Sequence, residues 1–312
     1  VNKMLLESPS VNWKDYELID SGNFEKLERF GPYTMIRPEP KALWNKSLSE
    51  DKWKQMAHTQ FITGAGFGKA GKEDSGTWKR LKRMNDQWVI SYNNAPSFKL
   101  RLGLTSFKHV GVFPEQAPNW DFIYNSVNEL KESVAQPKVL NLFAYTGAAS
   151  LAARCSGAIV THLDSVKQVV TWARTNMELS GLENVRWILE DALKFVKREV
   201  RRGNLYNGII LDPPAYGHGP DGEKWKLDEC LFDILQNCAQ ILAPKNSFLV
   251  LNLYSNGYSS VLAQTLVKCA FNLTEDPKSG EKNYKSIENG ELILKDSFGK
   301  ELPLSVFVRL KR

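Results

Sequence analysis

Past residue 137 the chain alternates between short apolar runs and longer stretches of helical period. The apolar run 139–143 ends in Ala144-Tyr145-Thr146-Gly147, and a small-residue helix follows over 148–154. Further strands are predicted at 158–163, 185–189, 208–211 and 248–253, with a late one at 302–310. Helices are predicted over 166–179, 193–202, 227–242 and 261–270. Strands alternating with helices predict an α/β fold, a mostly parallel sheet with helices on both faces. Such sheets bind ligands at the carboxyl ends of their strands. Asp164, Asp191 and Asp212 all fall at or near those ends.

The pattern before residue 95 is different. Tyr16-Glu17-Leu18-Ile19-Asp20, Tyr33-Thr34-Met35-Ile36-Arg37 and Trp88-Val89-Ile90-Ser91-Tyr92 read as strands, separated by turn residues such as Asp20-Ser21-Gly22-Asn23 and Gly31-Pro32. One short helix is expected near 52–59. The reading is a small N-terminal β-rich domain over 1–95 and an α/β domain over 96–312, with Asn93-Asn94-Ala95-Pro96 at the boundary.

Bulk numbers narrow the class. The chain has 312 residues, 42% hydrophobic and 24% charged, an ordinary soluble balance. No apolar stretch approaches the ~18 residues of a membrane span, and the first residues do not read as a secretory signal. Four cysteines, none in a C-x-x-C pair, argue against zinc and against a disulfide framework. Buried free thiols in a reducing cytoplasm are expected. The net charge of +6 permits nucleic-acid binding without demanding it. Two basic runs stand out: 69–83, and Lys194, Lys197, Arg198, Arg201 and Arg202 at helical spacing. Each reads equally well as a solvated face.

The strand ends carry the candidate chemistry. A carboxylate at Asp164 can accept both hydroxyls of a ribose, or cap the next helix. Asp191 can accept from an adenine amino group, or cap. Gly147 is the only glycine of its turn, so a G-x-G-x-x-G dinucleotide fingerprint is missing. The sharpest motif is Asp212-Pro213-Pro214-Ala215-Tyr216. Two prolines stiffen the backbone, and their carbonyls are expected to stay free for a substrate amine. Tyr216 offers a flat face on which an extruded base can stack.

Lys138 to Gly147, Asp164, Trp172-Ala173-Arg174-Thr175-Asn176 and Leu211-Asp212-Pro213-Pro214 together resemble the bacterial class I methyltransferases of the 23S ribosomal RNA type, makers of 5-methylcytosine and 7-methylguanine. The resemblance covers roughly 107–255. Phe113-Pro114-Glu115-Gln116 is similar to the segment that closes over the cofactor in that family. It implies a Rossmann-like class I methyltransferase fold, S-adenosylmethionine as cofactor and ribosomal RNA as partner, with no metal and no membrane. It also implies roles. Asn141, Phe143, Tyr145 and Gly147 would line the methionine and ribose part. Asp164 would hold the ribose with Ser165 beside it, and Asp191 and Ala192 would flank adenine. Asp212 would face the methyl sulfonium with Pro213 and Tyr216 next to it, and Gln116 would touch the cofactor from the lid side.

Two departures matter. Cytosine C5 methylation needs a thiolate, because C5 is not nucleophilic on its own. The places that hold it in such enzymes here carry Ala215 and Leu253-Tyr254-Ser255. The expectation is therefore methylation of a base without a cysteine nucleophile. Members acting on ribosomal RNA often carry an N-terminal PUA module, and the segment here is short for one. Three competing readings remain: methylation of a protein or small molecule, a non-catalytic RNA-binding assembly factor, and, weakest, a nicotinamide oxidoreductase. Gly64-Ala65-Gly66-Phe67-Gly68-Lys69 lacks phosphate-loop spacing and reads as a hairpin loop. His218 reads as a loop histidine, and Trp225 as either substrate-shaping or core.

Overall fold

The computed structural model describes residues 4–65, 75–254, 257–276 and 278–312. After a short strand, β1 (Leu5–Glu7), come β2 (Tyr16–Gly22), β3 (Glu25–Phe30), β4 (Tyr33–Pro38), α1 (Glu50–Met56), β5 (Thr59–Thr63), β6 (Gly76–Arg80), β7 (Gln87–Asn93) and β8 (Ser97–Gly103). Strands β2 to β6 form one sheet in chain order, and β7–β8 is a hairpin. Only β4 and β5 pair in parallel, and α1 supplies the crossover that a parallel pair needs. Ser49 caps α1 through the Lys52 N–H. Trp53 on α1 is fully buried with Ile19, Leu27 and Ile36, and its Nε1 donates 2.8 Å to Asp20.

Every apolar run predicted after residue 137 is a strand. The elements are α2 (Ala117–Leu130), β9 (Lys138–Leu142), α3 (Ala148–Cys155), β10 (Ile159–Asp164), α4 (Lys167–Leu179), β11 (Val185–Leu189), α5 (Ala192–Arg202), β12 (Gly208–Leu211), β13 (Tyr216–His218), β14 (Lys224–Lys226), α6 (Leu227–Ile241), β15 (Phe248–Leu253), α7 (Ser260–Ala270), β16 (Ser286–Lys295) and β17 (Glu301–Lys311). The unforeseen helix α2 buries Trp120, Ile123, Val127 and Leu130, a helical spacing interrupted early by Pro118.

The large sheet has the order β1-β16-β17-β15-β12-β9-β10-β11. Strands β9, β10, β11, β12 and β15 run parallel, and β17 is antiparallel to β15. Strands β12 and β15 are buried along their whole length, which is why they read as continuous apolar runs rather than as alternations. Chain progression reverses direction between β9 and β12, the switch point where an open α/β sheet leaves a crevice.

The chain divides into two compact units. One contains residues up to Glu7, Asn119–Leu292 and Ser305–Arg312; the other contains Ser8–Pro118 and Ile293–Leu304. Within the second unit Lys300 reaches Asp20 Oδ1 at 2.7 Å and Ser47 Oγ at 2.8 Å, tying the turn between β16 and β17 to the N-terminal strands.

Candidate active site

Strand register brings the acidic ends together. Leu142 pairs with Leu163 on one side and Leu211 on the other, so Phe143, Asp164 and Asp212 leave three adjacent strands side by side. Asp164 pairs with Leu189, which puts Glu190 and Asp191 next in the row.

The turn after β9 is held in an uncommon shape. Phe143, Tyr145 and Gly147 have φ of 56°, 49° and 92°, three left-handed residues in five. Such clusters of backbone strain gather at ligand sites and need outside support. Asp164 supplies part of it: Oδ2 accepts the Tyr145 N–H at 2.9 Å and Oδ1 the Val166 N–H at 3.0 Å. Burial pushes the Asp164 carboxyl above the usual carboxylate range, and these backbone N–H groups pull the other way. Asn176 on α4 donates 2.9 Å to the Thr146 carbonyl. Gly147 starts α3 where a Cβ would lie 3.0 Å from the Ala173 Cβ, so only glycine fits without displacement. The quoted 172–176 segment thus contributes Ala173 for space and Asn176 for a hydrogen bond.

Asn141 is turned inward. Its amide donates 2.9 Å to Ser150 Oγ, which lies 2.9 Å from His162 Nδ1. All three are buried, so Asn141, expected to line the cofactor, braces α3 under the turn. Burial holds the His162 ring down at about 3, with a smaller opposing effect from the Tyr145 carbonyl. Asp191 is the N-cap of α5, accepting from Lys194 N at 2.8 Å, and Ala192 is buried directly behind it. Asp164 is not the cap of α4; Val166 holds that position, with Ser165 half-buried between them.

Asp212 is half-buried, and Asn252 at the end of β15 donates 2.9 Å to its Oδ1. Asn252 is oriented in turn by Ser305 Oγ at 2.9 Å. The segment after the prolines, expected as a loop, is an ordered hairpin, β13–β14. One expectation is corrected here. The Pro214 carbonyl is not free, because Trp225 Nε1 donates to it at 2.7 Å, and the Ala215 carbonyl accepts from Leu227 N at 2.9 Å. Trp225 is buried, with its ring 4.7 Å from that of Phe143. It is core, and it bridges the β9 turn to the proline turn. Tyr216 is 61% exposed. His218 lies on a strand, exposed.

Gln116 sits in the other compact unit, buried on a single 3-10 turn, Pro114–Gln116. Of the cysteines only Cys238 is buried, and Cys269 is exposed, against the expectation of buried thiols. On α5 the basic run is largely neutralised: Lys194 meets Asp221 and Glu223, Lys197 meets Asp233, Arg198 meets Glu190 and Arg202 meets Glu199. The other run partly falls on 66–74, and Ser255 likewise lies outside the described residues. So does most of the glycine loop, although its flanks Thr63 and Gly76 do pair as a hairpin. Among the described residues no His, Cys, Asp and Glu group could hold a metal, and no helix is long and apolar enough to cross a membrane.

A parallel sheet of this order with a reversed strand beside β15, a tight left-handed turn after its first central strand and carboxylates at successive strand ends define a Rossmann-like class I methyltransferase fold. The crystal structure of an S-adenosylmethionine-dependent methyltransferase from Agrobacterium tumefaciens is similar throughout: TM-score 0.85 and 36% identity, over 100% of this chain and 96% of that one. The chain belongs to the S-adenosylmethionine-dependent methyltransferases. The family model described as Conserved hypothetical protein 95 matches residues 118–248. Ribosomal RNA large subunit methyltransferase K/L of Shewanella frigidimarina is 30% identical over 159 residues, 49% of this chain and 21% of that protein. The protein of the same description from Hahella chejuensis is 32% identical over 219 residues, 64% of this chain and 28% of its own length. The chain therefore spans only about a quarter of these curated relatives.

Proposed function

We propose that this chain transfers a methyl group from S-adenosylmethionine to a base of ribosomal RNA, without a cysteine nucleophile. The observation that carries the reading is the alignment of Phe143, Asp164 and Asp212 on adjacent strand ends, with Ala215 and not cysteine behind the prolines. The matches to ribosomal RNA methyltransferases support the substrate class.

The cradle suits the cofactor. Gly147, with no room for a Cβ against Ala173, lets the backbone keep the left-handed turn that shapes the cradle. A carboxylate has about four acceptor directions, and the Asp164 contacts to the Tyr145, Val166 and Ser165 backbone leave capacity for a ribose hydroxyl. Ser165 lies beside them. Asp191 caps through Oδ1, leaving Oδ2 for an adenine amine, with Ala192 behind. Bound there, S-adenosylmethionine supplies an electrophilic methyl on sulfonium. Asp212, fixed by Asn252, orients the accepting atom, and the Pro213 carbonyl is the proline acceptor that remains for it. Tyr216 offers the base a stacking face. Positioning and desolvation are enough for a ring nitrogen or exocyclic amine. Such a substrate puts the work in the cytoplasm.

Incubation with labelled S-adenosylmethionine and total RNA from a strain lacking the protein should label RNA. No transfer to any RNA fraction would sink the proposal. The neutralised face of α5 favours a second reading, methylation of a protein or small molecule, which salt-insensitive substrate binding would support. An assembly factor without catalysis would bind RNA and show no S-adenosylmethionine binding by calorimetry.

A further inference from the structure

We propose that the outer face of the β13–β14 hairpin is a docking strip for single-stranded RNA, running outward from the target base at Tyr216 to the neighbouring nucleotides; the proposal rests on the RNA reading above. Antiparallel register sets Tyr216 opposite Lys226 and His218 opposite Lys224. All four are exposed, while Gly217 and Trp225 between them are half-buried and buried. Strand alternation therefore gathers two planar rings and two lysines on one side. Each rung pairs a ring with a cation, and the rungs lie roughly 7 Å apart at about 3.3 Å per residue. Rings stack on bases of any sequence, and lysines neutralise phosphates.

The charge on this face is available. The hairpin's own acids, Asp221 and Glu223, are engaged by Lys194 of α5 at 2.9 and 3.0 Å. Lys226 touches Glu229 at 2.8 Å, but both side chains are about half or more exposed, and such a pair is weak enough to exchange for phosphate. The strip is also preformed. Trp225 Nε1 holds the Pro214 carbonyl at 2.7 Å, and Gly219 N holds the Glu223 carbonyl at 2.8 Å. A rigid platform loses little entropy on binding. It begins two residues after the second proline, so a strand lying along it reaches the reacting centre directly.

The test measures anisotropy of a labelled mixed-sequence single-stranded RNA with the full chain across a salt series. Calorimetric affinity for S-adenosylmethionine serves as the control for folding. Lys224→Gln with Lys226→Gln should weaken RNA binding about tenfold and flatten the salt slope by about 0.7 per lysine. Tyr216→Ala should weaken it about fivefold or more, while Tyr216→Phe stays near wild type. Cofactor affinity should not move in any of them. RNA affinity and salt slope unchanged in the combined variant would overturn the strip and leave the RNA reading standing. Competition by poly-glutamate as strong as by RNA would overturn it in favour of an acidic peptide. A wild-type chain that binds the cofactor but no RNA would remove both proposals.

Discussion

Asp164 Oδ2 accepts the backbone N–H of Tyr145 at 2.9 Å, fastening the end of β10 to the strained turn that leaves β9. The same carboxylate is the one proposed to hold ribose, so on that proposal one side chain both shapes the cradle and binds its occupant. Asp164→Ala should weaken S-adenosylmethionine binding by roughly 1–3 kcal/mol for the loss of a buried acceptor. Asp164→Asn should lose less, since its amide oxygen can still accept from Tyr145. Calorimetry on the two variants measures the difference, and equal affinities in Ala and wild type would refute the assignment.

Asp212 is held by Asn252 at 2.9 Å. Asp212→Ala should abolish methyl transfer with the circular dichroism spectrum unchanged. Asn252→Leu should lower turnover with cofactor affinity kept, because it removes orientation rather than the carboxylate. Normal turnover in Asp212→Ala would show that the site is wrongly placed.

Gly147→Ala places a methyl 3.0 Å from the Ala173 Cβ at a φ of 92°. Backbone strain of that kind costs about 1–3 kcal/mol. The melting temperature should fall, and cofactor affinity with it, since the turn cannot keep its shape. The double variant with Ala173→Gly should recover part of the packing loss and none of the φ penalty.

His162 is held neutral, at about 3 against an ordinary 6.5, first by burial. A depressed folded value means that the unfolded chain takes up the proton first. Stability is therefore full above about pH 6.5 and is lost as pH falls toward 3, by up to about 1.4 kcal/mol per pH unit for one proton. His162→Phe should be less stable at pH 7, because buried Ser150 keeps Asn141 but loses its bond to the ring, and it should show a shallower acid slope. Urea unfolding at pH 7 and pH 5 tests this; parallel slopes in the two proteins would exclude His162 as the group responsible.

Lys300 and Asp20 meet at 2.7 Å, with Asp20 fully buried. Burial raises the Asp20 carboxyl, but hydrogen bonds from Lys300, Leu48, Trp53 and Ser47 outweigh it and hold it below its ordinary 3.8. That stability is present above about pH 4 and lost as pH falls below it. Lys300→Met should cost about 3 kcal/mol by stranding a buried carboxylate. Denaturant unfolding should show the loss at pH 7, shrinking at acid pH as Asp20 protonates.

The apolar periodicity alone determined β9 to β12, β15, β17 and the helices from α3 to α7, because both faces of a parallel sheet must be covered and its strands then read as unbroken apolar runs; β16 was missed. It also fixed which acids end which strands. What needed the fold was the partner of each polar group. The resemblance puts Asn141 beside the cofactor, but its hydrogen-bond partner Ser150, nine residues on across a strand–helix packing, is set by the fold. Pro214's carbonyl looks free until Trp225, eleven residues later, folds back onto it. The basic run 194–202 looks like a nucleic-acid face until four acids from elsewhere, Asp221, Glu223, Asp233 and Glu190, meet it. Short antiparallel strands such as β13 and β14 leave no periodic signal, and α2 was hidden by its proline. Local period sets backbone shape, but hydrogen bonds and charge pairs join residues distant in sequence, and only the packed chain settles which of them meet.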